Sequence, residues 1–266
     1  MLVNETPKFQ EEYSAKIPAL ALLTNLGWNF LNPDQAIAAR NGKTNEVVLK
    51  DILRNELRKR RFIYAGKEHE LSNNTIENIV SEISTPALNE GLKAANERIY
   101  NHLLYGISVT EFIDGKKANP TISLIDWHEV TNNSFIFTEE FNVLRTNGLD
   151  ARRPDIVCFA NGIPFVVIEA KRPDGNTKKG PTIEEGISQS LRNQRNDERP
   201  HLFAYSQLLL SINGSEGRYG TQGTDAKFWS AWREEDFSDA NMFALKNKKL
   251  TDSQKSTLFQ HRATSD

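Results

Sequence analysis

The chain is almost without cysteine. Its 266 residues hold one, Cys158, which excludes an internal disulfide and any cysteine-rich metal centre. Cys158 lies inside the apolar run Ile156-Val157-Cys158-Phe159 and reads as a small core residue. Long apolar stretches are missing as well: nothing approaches the roughly 20 residues of a membrane span. The N-terminus carries Glu5, Lys8, Glu11 and Glu12 with no apolar segment ahead of a cleavage site, unlike a secretory peptide. A cytoplasmic protein without a membrane partner is expected. Charge of one sign is not in excess either, since 33 basic and 35 acidic residues give a net charge of −2. Any surface for a polyanion must therefore be local. No internal repeat is present.

What remains is a chain that is 38% apolar with a mean hydropathy of −0.55, enough for one large domain, or one domain with a helical extension. Residues 14–64 are mainly helical in pattern. Ile17, Leu20, Leu23 and Leu26 recur at helical spacing before Gly27, and Val47, Val48, Leu49, Ile52, Leu53 and Leu57 form a second stripe. That stripe ends in Arg58-Lys59-Arg60-Arg61, a run favoured at a helix C-terminus that could equally touch phosphate. Helix is expected again over 74–105, with a weak cap at Thr75 and an interruption at Pro86. The period then changes to two: 109–113, 122–127 and 134–144 read as strands. Ile183, Ile187 and Leu191 mark a further helix, and 202–212 a short helix leading into a final core strand. Beyond Phe237 the pattern fades toward Lys246, Lys248 and Lys249. The expected layout is a helical extension over 1–70, an α/β domain over 71–236 and a linker or tail over 237–266. The order helix, strands, helix, strand implies a mixed β-sheet flanked by helices.

The most informative stretch is Arg153-Pro154-Asp155, an apolar strand, Asn161-Gly162, a second apolar strand, then Glu169-Ala170-Lys171. It reads as a β-hairpin with two carboxylates and a lysine at its open end. Such charges beside an apolar sheet are costly unless they pair or hold a metal. Side chains alternate along a strand, so register decides whether they meet. A two-residue Asn161-Gly162 loop pairs Ala160 with Ile163 and sends Glu169 to the face opposite Asp155. A three-residue loop, or an equivalent bulge, returns Glu169 and Lys171 to the face of Asp155. A catalytic reading requires that odd residue. Given it, Asp155 and Glu169 are Mg²⁺ ligands, with the Ala170 carbonyl a third. Lys171 orients water and stabilises developing negative charge. Gln189, on the following helix, could hold the water or a phosphate oxygen.

These residues resemble the PD-(D/E)xK nuclease core of type I restriction endonuclease motor subunits. The likeness runs from Arg153-Pro154-Asp155-Ile156-Val157 through Asn161 to Lys171. Leu124-Ile125-Asp126-Trp127 and Asn133-Ser134-Phe135 precede it; Gln189, Leu202-Phe203-Ala204-Tyr205, Gln207-Leu208-Leu209, Asn213-Gly214, Arg218-Tyr219-Gly220-Thr221 and Phe228-Trp229-Ser230-Ala231-Trp232 follow in order. It covers about residues 75–235. The resemblance implies a restriction-endonuclease-like fold, Asp155 and Glu169 as metal ligands, Lys171 as the catalytic lysine, and Gln189 opening a Gln-x-x-x-Tyr motif. Here the fifth position is Asn193, which can hydrogen-bond but not stack. A helical glutamate completes many such sites, and Glu97 is the candidate. Arg152, Arg153, Arg172, Lys178 and Lys179 cluster around the hairpin and could meet DNA phosphates; Arg218 contacts DNA or packs against a neighbouring domain.

By the same resemblance, cleavage of double-stranded DNA is performed with methyltransferase and specificity subunits and depends on ATP and S-adenosylmethionine in the full assembly. This sequence has no Gly-x-x-x-x-Gly-Lys-Ser/Thr phosphate loop and reads as an N-terminal portion ahead of an ATP-driven translocase. Two other readings remain: a catalytically silent module that docks DNA or the motor, and a stand-alone nuclease unrelated to restriction.

Overall fold

The computed structural model describes residues 15–172, 182–233 and 240–262. The first helix, α1 (Ile17–Asn25), stops before Gly27, whose φ is +91°. The segment expected to be mainly helical is more varied. It holds strand β1 (Asn29–Phe30), α2 (Pro33–Ala38), α3 (Lys50–Lys59) and a hairpin of β2 (Arg61–Tyr64) with β3 (Lys67–Glu70). Asn32 and Gln35 form a capping box on α2, which starts that helix locally.

The long helical pattern becomes α4 (Asn73–Ser84) and α5 (Leu92–Tyr105), separated at Pro86 as expected. The cap on α4 is Ser72, whose Oγ accepts the Thr75 N–H at 3.2 Å, rather than Thr75. Two of the expected strands break up. Residues 107–122 make two small antiparallel pairs, β4 (Ile107–Ser108) with β7 (Thr121–Ile122) and β5 (Glu111–Ile113) with β6 (Lys116–Ala118). Residues 123–127 are no strand, and the Leu124 carbonyl there accepts from the Asn161 side chain at 2.7 Å. The run 134–144 divides into β8 (Phe135–Glu139) and β9 (Val143–Leu144) at Glu140, where φ is +48°.

From β9 the chain runs through β10 (Ala151–Arg152), β11 (Ile156–Ala160), β12 (Ile163–Ala170), α6 (Ile183–Asn193), α7 (Pro200–Phe203) and β13 (Leu208–Ile212). That strand is not the last: β14 (Gly217–Gly220) and β15 (Ser230–Ala231) extend the sheet, followed by α8 (Ala240–Asn247) and α9 (Asp252–Phe259). The seven-stranded sheet has the order β1-β8-β11-β12-β13-β14-β15, with β1 parallel to β8, β12 parallel to β13 and the other neighbours antiparallel. Helices cover both faces, so the mixed α/β expectation holds. Leu53, Ile79, Ile99 and Ile187 pack with Val157, Val167 and Leu209 on one side; Leu20 and Leu258 pack with Ile156, Cys158 and Ile168 on the other.

Residues 237–266, expected as a linker or tail, therefore contribute helical structure within 240–262 that is packed on the sheet. Leu258 is buried, and His261 Nε2 lies 2.9 Å from Glu139 Oε1, which also receives Arg262 Nε at 3.0 Å. Lys16 reaches the same buried carboxylate at 3.6 Å, so Glu139 has polar partners rather than lying stranded in the core.

The hairpin turn ties the N-terminal segment to the sheet. Leu49 N–H donates to the Gly162 carbonyl at 2.8 Å, and a Cβ on Gly162 would come 2.6 Å from the Leu49 oxygen. Gly162 also has φ of +83°, which costs an L residue about 1–2 kcal/mol. Gly42 has a similar φ of +76° but open space around it. Gly162→Ala is accordingly expected to lower the urea midpoint clearly more than Gly42→Ala, the former losing about 3 kcal/mol and the latter about 1 kcal/mol; equal losses would show that close approach at the turn contributes nothing.

Candidate active site

The Asn161-Gly162 loop is a two-residue turn with both φ angles positive, +52° and +83°, as a type I′ hairpin requires. Ala160 pairs with Ile163 and Phe159 with Pro164, but Cys158 then pairs with Val166. Phe165 is the extra residue of a β-bulge. Pro164, which has no N–H for the ladder, sits beside it, where the ladder is already interrupted. From Cys158 onward the register pairs Val157 with Val167 and Ile156 with Ile168, so Asp155 stands opposite Glu169. The bulge supplies the odd residue that an even loop lacks, and both carboxylates face the side covered by α6.

Glu169 has no exposed surface, and Lys171 is 6% exposed. Asp155 Oδ2 accepts the Ala170 N–H at 2.8 Å and lies 4.0 Å from Lys171 Nζ. Lys171 N–H bonds the Ile212 carbonyl on the other side of β12 at 2.7 Å. Since the N–H and C=O of one extended residue point the same way, the Ala170 carbonyl is directed to the Asp155 side. Gln189 Nε2 donates to Glu169 Oε2 at 2.8 Å, while Oε1 is buried without a partner among the described residues. Close packing makes this reach possible. A Cβ on Gly186 would come 2.2 Å from Ser211 Oγ and 3.3 Å from Lys171 Cγ, so α6 lies directly on β12 and β13, and Gln189 follows one turn later.

Asp155, Glu169, Lys171, Ala170 and Gln189 are thus brought together. Asn193 lies one turn beyond Gln189, buried, with its carbonyl accepting the Arg199 N–H at 3.1 Å. Arg218 shares the face of Glu169, because Glu169 pairs with Ser211 and Ser211 with Arg218. Two strand spacings separate them, about 10 Å. Arg152, Arg153 and Arg172 are exposed near the open end of the hairpin, Arg152 lying 3.6 Å from Glu198. Glu97 is an exposed residue of α5 and is not among the groups that act on Glu169. Lys178 and Lys179 lie outside the described residues.

The residue that the motif reading missed is Arg199. Its side chain is 1% exposed, and its charge acts on Glu169. Burial pulls its pKa down to about 10, while Glu169 and Glu198 oppose that fall. A Glu-Arg-Pro turn after a helix gave no motif to recognise; only the fold carries it to the carboxylates. Among the described residues no cluster of three or more His, Cys, Asp or Glu is placed to hold a metal. The donor set is instead two carboxylates and a carbonyl, the all-oxygen kind that suits a hard divalent ion retaining several waters.

Burial, with neighbouring Asp155 adding to it, pushes the Glu169 carboxyl up to about 8 against the opposing pull of Lys171 and Arg199. Below the ordinary 4.5 both folded and unfolded chains hold this proton, and above about 8 neither does. Between those values only the folded chain holds it, so this group's contribution to stability falls as pH rises. Metal-free Glu169→Gln should match the parent at pH 5 and melt about 5 °C or more above it at pH 8.5. An offset that is the same at both pH values, measured by thermal denaturation in chelator, would remove the buried carboxyl pair as its source.

The chain resembles known proteins over most of its length. A family model described as the N terminus of the type I restriction enzyme R protein matches residues 8–228, reaching upstream of the 75–235 span that carries the motifs. The chain is 28% identical over 243 residues to the putative type I restriction enzyme MjaIXP endonuclease subunit of Methanocaldococcus jannaschii, which takes in 86% of this chain and 21% of that protein. It is 26% identical over 219 residues to the type I restriction enzyme HindI endonuclease subunit of Haemophilus influenzae, covering 80% of this chain and 19% of that one. The chain therefore spans about a fifth of the length of these relatives. It belongs to the family of the type I restriction enzyme R protein N terminus.

Proposed function

We propose that this chain is a Mg²⁺-dependent endonuclease acting on double-stranded DNA, the nuclease part of a type I restriction-modification R subunit. The observation that carries the reading is the convergence of Asp155, Glu169 and Lys171 on one face through the bulge at Phe165. Asp155, Glu169 and the Ala170 carbonyl would hold Mg²⁺, which supplies a more acidic bound water and offsets charge on the phosphoryl oxygens. Gln189 fixes one oxygen of Glu169 and leaves Oε1 as a ligand atom. Lys171 is held beside Asp155, where its ammonium can orient the attacking water and stabilise negative charge in the transition state. Arg152, Arg153, Arg172 and Arg218 supply phosphate contacts around that centre.

The partners follow from the family alone. In the longer subunit, ATP would drive translocation, and methyltransferase and specificity subunits with S-adenosylmethionine would complete the assembly. Sequence recognition would then lie outside this chain.

Plasmid nicking and linearisation by the 266-residue chain, with Mg²⁺ or Mn²⁺, tests the proposal. Asp155→Ala and Lys171→Ala are each expected to lose at least about 100-fold in rate, with Mn²⁺ binding lost in the first. Mn²⁺ binding without cleavage in the parent would indicate a competent site that needs partners to engage DNA. A parent that neither cleaves nor binds Mn²⁺ would leave a silent module that docks DNA or the motor.

A further inference from the structure

Leu149 is 87% exposed, the most exposed large apolar side chain among the described residues. It sits at the tip of the β9–β10 hairpin, the insertion that joins β8 to Asp155 and β11. Hairpin tips ordinarily carry residues that solvate well or suit the turn. This one places leucine between Gly148, with φ of +72°, and Asp150.

The tip is held rigidly. Arg145 reaches Asp150 at 3.1 Å and Glu198 at 3.1 Å. Thr146 donates through Oγ1 to the Asn196 carbonyl at 2.7 Å and through its N–H to the Glu198 carbonyl at 3.0 Å. Asn147 bonds Asp150 at 3.1 Å and accepts the Leu149 N–H at 3.0 Å. The hairpin is thereby cross-linked to residues 196–198, which follow the helix carrying Gln189. A leucine displayed on such a frame is presented, not left over from a loose loop.

Its surroundings carry cations. Arg152 and Arg153 are exposed between the tip and Asp155, and Arg192 and Arg195 are exposed just ahead of the 196–198 segment to which the tip is bonded. Asp150, Asp197 and Glu198 are engaged by Arg145, while Arg153, Arg192 and Arg195 carry no ion pair among the described residues. Asp155 lies six positions after Leu149, at most about 20 Å of extended chain. A duplex with a backbone phosphate at Asp155 brings a groove within that reach, since grooves are about 6 and 12 Å wide. Basic flanks around an apolar tip are complementary to a duplex, whose anionic backbones border a groove floor of base edges; apolar side chains are used as wedges there.

We infer that Leu149 is a groove contact: with duplex DNA bound at the carboxylate site, the β9–β10 tip enters the adjacent groove and fixes which phosphate reaches Asp155. This rests on the nuclease reading above. An apolar contact and a phosphate contact differ in salt dependence. Neutralising a phosphate-binding arginine lowers the slope of log K against log salt by about one, and an apolar contact leaves it unchanged.

Binding of a labelled duplex by the full 266-residue chain in Ca²⁺, measured by fluorescence anisotropy across a salt series, tests the inference. Leu149→Ala should weaken binding about tenfold at every salt concentration with an unchanged slope, and Leu149→Asp should weaken it further. Arg153→Gln should reduce the slope. Melting temperature and Mn²⁺ affinity of both Leu149 variants should equal those of the parent, because the side chain is 87% exposed. A parent that binds duplex while Leu149→Ala and Leu149→Asp bind it equally well overturns the groove contact alone and leaves the nuclease reading in place, with the tip free for a protein surface. A parent that binds neither Mn²⁺ nor duplex overturns both.

Discussion

A β-bulge that adds Phe165 to one strand of the central hairpin lets two carboxylates share a face, because side chains alternate with a period of two along a strand. The Asn161-Gly162 turn is even, and an even loop with a regular ladder would separate Asp155 from Glu169. With one residue more, β12 is turned over from Val166 onward. Ile168 meets Ile156 on the face with Leu20 and Leu258, while Glu169 and Lys171 join Asp155 under α6. Nothing in the chemistry of the site survives a shift of one residue here.

The bulge has an electrostatic consequence. It buries Glu169 completely next to another carboxylate, a combination that favours the protonated acid. The fold offsets this with cations that are themselves withdrawn from water: Lys171 from the next position but one on the strand, and Arg199 from the turn after α6. Gln189 binds one Glu169 oxygen and no described group binds the other. Under the proposed function, the Glu169 oxygen that Gln189 leaves open is where a divalent ion would bind.

Segments remote in sequence close around the hairpin. The Leu49 N–H and Gly162 carbonyl bond one end to the N-terminal helices. At the other, Glu140 N–H donates to the Asp155 carbonyl at 3.1 Å, and Glu139 gathers Lys16, His261 and Arg262. The strand that carries Asp155 is thus held from both termini of the described chain. This agrees with a family match that begins at residue 8 rather than at the first residue of the motif region.

Much of this was legible in the sequence. The apolar strands, the Asn161-Gly162 turn, Pro86 and the glycines at 27 and 162 are local signals, and local signals survive without knowledge of the rest of the chain. Motif spacing likewise identified the family and named Asp155, Glu169, Lys171 and Gln189. Register was different: the sequence posed an odd loop or a bulge as alternatives, and the choice depended on how Phe165 packs between the two core clusters. The short pairs over 107–122 and the helices beyond 237 were misjudged or left open because weak periodicity is overridden by packing. Arg199 and the Leu149 tip had no signal at all, since a charge beside Glu169 and a leucine left in solvent are properties of three-dimensional neighbourhoods. Composition and spacing by themselves determined which groups the chain owns; only the tertiary structure decided which of them meet, because burial and distance set the interaction between charges and neither is a property of sequence order.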